Sequence, residues 1–304
     1  MLRFIIKISF LVLLVTITAV PVFFIYSNPN AYYAANIDKI NLLKKTGSPK
    51  IVFIGGSNLA FGLNSELIKN QLNINVVNMG LHAGLGLRFM IDEIKPHLKK
   101  GDIVVMVPEY QQFSGNFADG DDTLVQLLYV NPCAVWSLSS VRQIYNVATK
   151  YNYFHKILYT TVRKTKITPH FFYHRFGFNG YGDMTGHLNE KRIGFNPVNI
   201  DYPPDEISEE TVKLMGEFHD FSQKRGVMLL MSYPNITEME FKNAKEKIEI
   251  FSRKLEKKIN IRIINTQESQ VYPDELFFDT PYHLHEIGRD LRSKRLINDI
   301  KKSL

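Results

Sequence analysis

The residues best suited to chemistry lie far apart in the chain. In "PKIVFIGGSNLAFG", Pro49 to Gly62, an apolar run stops at two glycines and Ser57. A serine hydroxyl at such a turn is a nucleophile only when a base takes its proton. The later stretch "DELFFDTPYHLHEIGRDL" supplies one: His283 can accept the proton, and Asp279 can set the imidazole tautomer and stabilise the imidazolium. These three types together suit acyl transfer through a covalent acyl-serine. Rival motifs fail on spacing. A dinucleotide fingerprint would need glycines where Ser57 and Ala60 stand, a phosphate loop would need a lysine after Gly62, and a G-x-S-x-G elbow would need glycine at Leu59.

For Ser57 and His283 to meet, the chain must bring residue 57 and residue 283 to one edge. Short β-branched runs at 50–55, 74–80, 102–109, 227–234 and 261–265 read as strands apolar on both faces. Helical stretches at 65–72, 86–100, 211–226, 240–258 and 285–304 alternate with them, with Pro96 shortening the second. Strands alternating with helices predict a doubly wound α/β sheet, which binds ligands at the carboxyl ends of its strands. Ser57, Gly80 and Glu109 fall at such ends.

The chain is 304 residues long, 45% apolar and 22% charged, enough for a full core. Its one cysteine, Cys133, excludes an intramolecular disulfide and reads as a small buried residue. From Ile8 to Tyr26 there are 19 residues without a charge, close to the ~20 that cross a bilayer as helix. Residues 1–26 are therefore expected to be a transmembrane anchor with a short cytoplasmic tail, residues 27–48 a juxtamembrane linker, and residues 49–304 one domain outside the cytoplasm. The expected location is the cytoplasmic membrane, in a single pass.

An insertion at about 110–210 interrupts the α/β alternation. Between Val141 and Ile200 nine Lys or Arg stand against Asp183 and Glu190, a net +7, among twelve aromatics. With no nucleic-acid module in view, this composition suits anionic headgroups, an anionic glycan or a membrane-protein partner, or a solvated helical hairpin with an aromatic core. His82 and His285 read as surface residues.

At three blocks, "FIGGSNLAFG", "NVVNMGLHAG" and "FFDTPYHLHEIG", the sequence resembles the SGNH (GDSL-like) hydrolase superfamily, over most of residues 50–300. The resemblance implies a flavodoxin-like three-layer sandwich with a parallel five-stranded sheet. It also implies Ser57 as nucleophile, His283 and Asp279 as base and acid, and backbone N–H groups of Ser57 and Gly80 in the oxyanion hole. Asp279 and His283 stand one residue further apart than the family's Asp-x-x-His. Its third-block asparagine is replaced by Glu109 and Tyr110, so Asn58 or Asn179 becomes the candidate for the third donor. An ionised Glu109 cannot donate. Glu109, Tyr110, Asp183 and His187 are candidate substrate contacts, and neither cofactor nor metal is implied.

The expected function is a membrane-anchored serine esterase or O-acyltransferase acting on acyl, typically acetyl, esters of a cell-envelope polysaccharide. The resemblance adds a membrane-bound O-acyltransferase as a partner. The alternative is a catalytically impaired binding or assembly protein on the same fold.

Overall fold

The computed structural model describes residues 7, 10, 28–150, 172–194 and 203–304. Its strands are β1 Lys50–Gly55, β2 Asn75–Asn78, β3 Ile103–Val107, β4 Met228–Met231, β5 Ile236–Thr237, β6 Arg262–Ile263 and β7 Val271–Tyr272. Five of them form a parallel sheet in the order β2-β1-β3-β4-β6; β5 and β7 pair as a small second sheet. In register, Ile51 stands between Val76 and Ile103, and Leu230 stands beside Val105 and Arg262.

The helices are α1 Ala35–Lys45, α2 Ser57–Gly62, α3 Ser65–Leu72, α4 Leu87–Ile94, α5 Asp122–Val130, α6 Val141–Thr149, α7 Glu209–Arg225, α8 Glu238–Lys258 and α9 Glu286–Lys301. They cover both faces of the five-stranded sheet, which explains strands without a polar side. Val52 and Ile54 of β1 pack with Leu43 of α1, Ile91 of α4, Phe218 of α7 and Phe251 of α8. Ile51 and Phe53 face the other way, toward Ile68 of α3 and Leu296 and Ile300 of α9. Strand alternation thus divides the core into two layers on either side of the sheet.

Local signals set the element ends. Asn64 caps α3 by accepting from Leu67 N, and α3 ends at Asn73 in the left-handed region. As expected at Pro96, α4 stops at Ile94 and passes into a 3₁₀ turn, Lys95–His97. The strands are shorter than their apolar runs. β3 ends at Val107 because Pro108 has no N–H for the ladder, and beyond β2 the Asn78 side chain turns back to accept from Gly80 N at 2.9 Å.

Residues 27–48, expected as a linker, contain α1, and α1 belongs to the domain. Leu43 is buried in the core, and Lys39, 2% exposed, donates to the Asn78 and Gly182 carbonyls with Phe178 beneath its ammonium. Cys133 is exposed rather than buried. Among the described residues no helix is long and apolar enough to cross a membrane; the expected anchor at 8–26 lies outside them except for Phe10. Of the insertion's basic residues, Lys156, Arg163, Lys164 and Lys166 also lie outside.

Candidate active site

Ser57 begins α2 two residues after β1, so it sits at the carboxyl edge of the sheet, at the end of β1. The turn is close-packed, which is why Gly56 has no side chain: a Cβ there would collide with Glu109 Oε1 and lie 2.9 Å from the Ala83 nitrogen. Three elements hold α2 behind the serine. Asn78, at the end of β2, donates to Leu59 O at 2.9 Å. Glu109, just after β3, accepts from Asn58 N at 3.2 Å and Asn58 Nδ2 at 3.1 Å. Arg292 of α9, wholly buried, donates to Asn58 O and to Asn58 Oδ1 at 3.0 Å. Burial lowers Arg292 to about 10, against the nearby Tyr272 and Glu109, so it remains a cation opposite the Glu109 carboxylate with Asn58 between them.

His283 and Asp279 sit on a tight loop before α9. The Phe278 N–H to His283 O bond, 2.7 Å, closes that loop, and His283 N reaches Thr280 Oγ1 at 3.2 Å. The loop accommodates the extra residue, and His283 Nδ1 lies 2.8 Å from Asp279 Oδ1. A carboxylate only accepts, so the ring proton belongs on Nδ1 and Nε2 carries the lone pair a base needs. Phe61 stacks flat on the imidazole, centroids 3.9 Å apart at 8°, and fixes its plane.

Tyr173 completes this group and was not anticipated. Its hydroxyl donates to Asp279 Oδ2 at 2.6 Å and lies 3.0 Å from His283 Nδ1. Burial pushes the Asp279 carboxyl up, but the bonds from His283 and Tyr173 outweigh it and hold the group below its ordinary value. Burial and the adjacent Asp279 charge raise the Tyr173 phenol, which therefore stays a donor. Tyr173 comes from the aromatic stretch between Val141 and Ile200, where nothing in spacing separates it from eleven other rings.

Ser57, Glu109, Asp279 and His283 line one cavity of about 580 Å³, joined by Tyr32, Tyr33, His82, Ala83, Gln111, Tyr173 and Tyr282. Among the described residues, no hydrogen bond joins the Ser57 hydroxyl to His283; such bonds often close only when substrate binds.

Gly80, Asn58 and Asn179, the expected oxyanion donors beside Ser57, do not line the cavity. Gly80 N–H donates to Asn78 Oδ1, so it does not face the cavity as a free donor. The glycine is there for space: a Cβ would come within 2.5 Å of Leu59 Cβ. Asn58 Nδ2 is directed at Val107 O and Glu109. Asn179 lines a different pocket beside α1, and its Oδ1 accepts from Tyr181 N and Asp183 N within its own loop. Ala83, three residues beyond Gly80, is the candidate instead. It opens a 3₁₀ turn, Ala83–Leu85, lines the cavity, and its N–H meets no acceptor among the described residues.

His82, expected at the surface, also lines the cavity. Its Nδ1 accepts from Gly84 N at 3.1 Å, which puts the proton of the neutral ring on Nε2. Burial lowers its pKa against the pull of Glu109 and Asp121, so the neutral donor form is the one favoured.

Asp183, His187 and Tyr110 do not line the cavity. Asp183 accepts from Ser65 N, Ser65 Oγ and Asn78 Nδ2, tying the insertion to α3 and β2. His187 is buried against Phe61 and Phe278, bonded to Leu284 O at 3.0 Å, and burial lowers it to about 4. Tyr110 packs edge-on against Phe251 in the core.

Fold and site together define an α/β protein in which a serine, a histidine and an aspartate line one cavity at the carboxyl edge of a parallel sheet. A scan against protein-family models finds no match, and no curated protein matches the chain in sequence.

Proposed function

We propose that the protein is a serine esterase or O-acyltransferase of the SGNH type, anchored in the membrane with its domain outside the cytoplasm, acting on acyl esters of a cell-envelope polysaccharide. The observation that carries this reading is the Asp279–His283 pair lining one cavity with a serine at the end of β1. The strand order is in keeping with a flavodoxin-like sandwich.

In this reading Ser57 Oγ attacks the acyl carbonyl while His283 Nε2 takes the hydroxyl proton, and Asp279 stabilises the imidazolium. The tetrahedral oxyanion accepts from Ser57 N–H, Ala83 N–H and His82 Nε2–H. On collapse, the C–O bond to the leaving alcohol breaks and His283 returns the proton to it. Water or a sugar hydroxyl, deprotonated by the same imidazole, then attacks the acyl-serine and frees Ser57. A sugar hydroxyl makes the reaction a transfer, for which a membrane-bound O-acyltransferase is the proposed donor partner.

The second reading, a binding or assembly protein without chemistry, draws on the unformed Ser57–His283 bond and on Glu109 in place of a neutral donor. A fluorophosphonate probe decides between them. Labelling of Ser57 that vanishes in Ser57→Ala and His283→Ala supports the enzyme; a folded protein that takes no label sinks it.

A further inference from the structure

One apolar surface of the described fold is left uncovered. Val135 and Trp136, in a 3₁₀ turn over Pro132–Ser137, are 47% and 89% exposed, and Val141, Ile144 and Tyr145 of α6 are 84%, 57% and 65% exposed. The last three stand at i, i+3 and i+4, so they form a stripe along one side of α6. The helix's inner side is seated without them: Gln143 is buried, Asn146 donates to Gly120 O at 3.0 Å, and Val147 packs with Tyr32, Leu124 and Leu127. Single exposed apolar residues need no explanation, but five within eleven positions, three of them on one side of a helix, are a concentration that does.

Chain path and chemistry identify what covers it. The uncharged run 8–26 ends two residues before Asn28, where the described chain begins. Tyr32 lies in the same aromatic cluster as Val147 and Leu138, and Ile37 and Ile40 of α1 share a pocket wall with Trp136. Tyr32 is six positions after Tyr26, so the chain between them spans at most about 20 Å even when fully extended. Tryptophan and tyrosine favour the headgroup level of a bilayer, with the ring body apolar and one polar tip. The sequence after α6 carries Lys156, Arg163, Lys164 and Lys166 and no acid before Asp183, which suits an anionic leaflet.

We infer that Val135, Trp136, Val141, Ile144 and Tyr145 dock the domain onto the surface of a phospholipid bilayer. This rests on the reading of residues 8–26 as an anchor.

The chain's single tryptophan makes the test specific, because the anchor run contains none and emission reports Trp136 alone. The full chain is reconstituted in phosphatidylglycerol–phosphatidylcholine vesicles, with flotation as a separate measure of anchoring. The expected result is blue-shifted emission, quenching by lipid brominated near the headgroup, and a several-fold loss of quenching by aqueous iodide. Ile144→Glu with Tyr145→Glu, both on the exposed side, should reverse all three while circular dichroism stays unchanged. A chain that floats with the vesicles but keeps Trp136 open to iodide overturns docking and leaves the anchor standing. A chain that does not float overturns the anchor, and docking with it. Protection from iodide without quenching by brominated lipid means that another part of the chain or a second copy covers the patch, and likewise overturns the inference.

Discussion

His82 is the residue whose role depends most on its hydrogen bond. Because Gly84 N–H occupies Nδ1, the neutral ring of this cavity-lining residue carries its proton on Nε2, and burial favours that neutral form. In the proposed mechanism it supplies the oxyanion donor that Glu109, as an acceptor, does not. Loss of one oxyanion donor costs ~10²–10³ in rate, so His82→Ala should lower kcat on p-nitrophenyl acetate by about that factor with KM little changed. His82→Gln, which still carries an N–H, should recover part of it. An alanine variant as fast as the parent would remove His82 from the site. Asp279 shows a different lesson: its spacing to His283 departs from the family pattern, yet the closed loop places Nδ1 within 2.8 Å of the carboxylate. Spacing along a loop is a weak constraint where backbone hydrogen bonds can fold it.

Helix α1 shows how an element at the edge of the fold shapes the centre. Its Asn36 Nδ2 donates to Glu93 Oε1 of α4 at 2.6 Å, and burial lifts the Glu93 carboxyl from its ordinary 4.5 to about 7, against that bond and the Lys39 charge. A carboxyl raised in the folded state stabilises fully below its unfolded value, and that contribution is lost as pH rises through the folded one. Thermal stability should therefore fall between about pH 4.5 and 7 on account of Glu93. Glu93→Gln keeps an acceptor for Asn36 and cannot ionise, so the melting temperature of that variant should lack this falling limb. An unchanged pH profile would assign the loss to other groups.

At the scale of the molecule, residues 28–46 are part of the domain's closed fold. Tyr32 lines the cavity and donates to Leu81 O at 2.7 Å, Arg175 grips Asp38 through two 2.6 Å bonds, and Leu43 enters the core. Burying a side chain such as Leu43 stabilises by about 1.5–3 kcal/mol, and Tyr32 contributes similarly. A chain cut back to Gly47 should thus lose several kcal/mol in chemical denaturation, together with one wall of the cavity. A chain cut back to Asn28 should keep both. Equal denaturation midpoints for the two would make α1 an appendage.

Much of this was legible in the residues themselves. Apolar runs dense enough to be covered on both faces are a local property, so the five-stranded parallel sheet and its alternating helices could be read directly. So could the Gly-Gly turn at Ser57, the effect of Pro96 and the Asp279–His283 pair, because each depends on neighbours within a few positions. Long-range contacts decided the rest. Lys39 reaches the Gly182 carbonyl across 143 positions, Arg292 reaches Asn58 across 234, and Tyr173 meets Asp279 across 106. No periodicity encodes such meetings. They follow from how two covered faces and a closing helix pack, and a donor is assigned only when its acceptor is known.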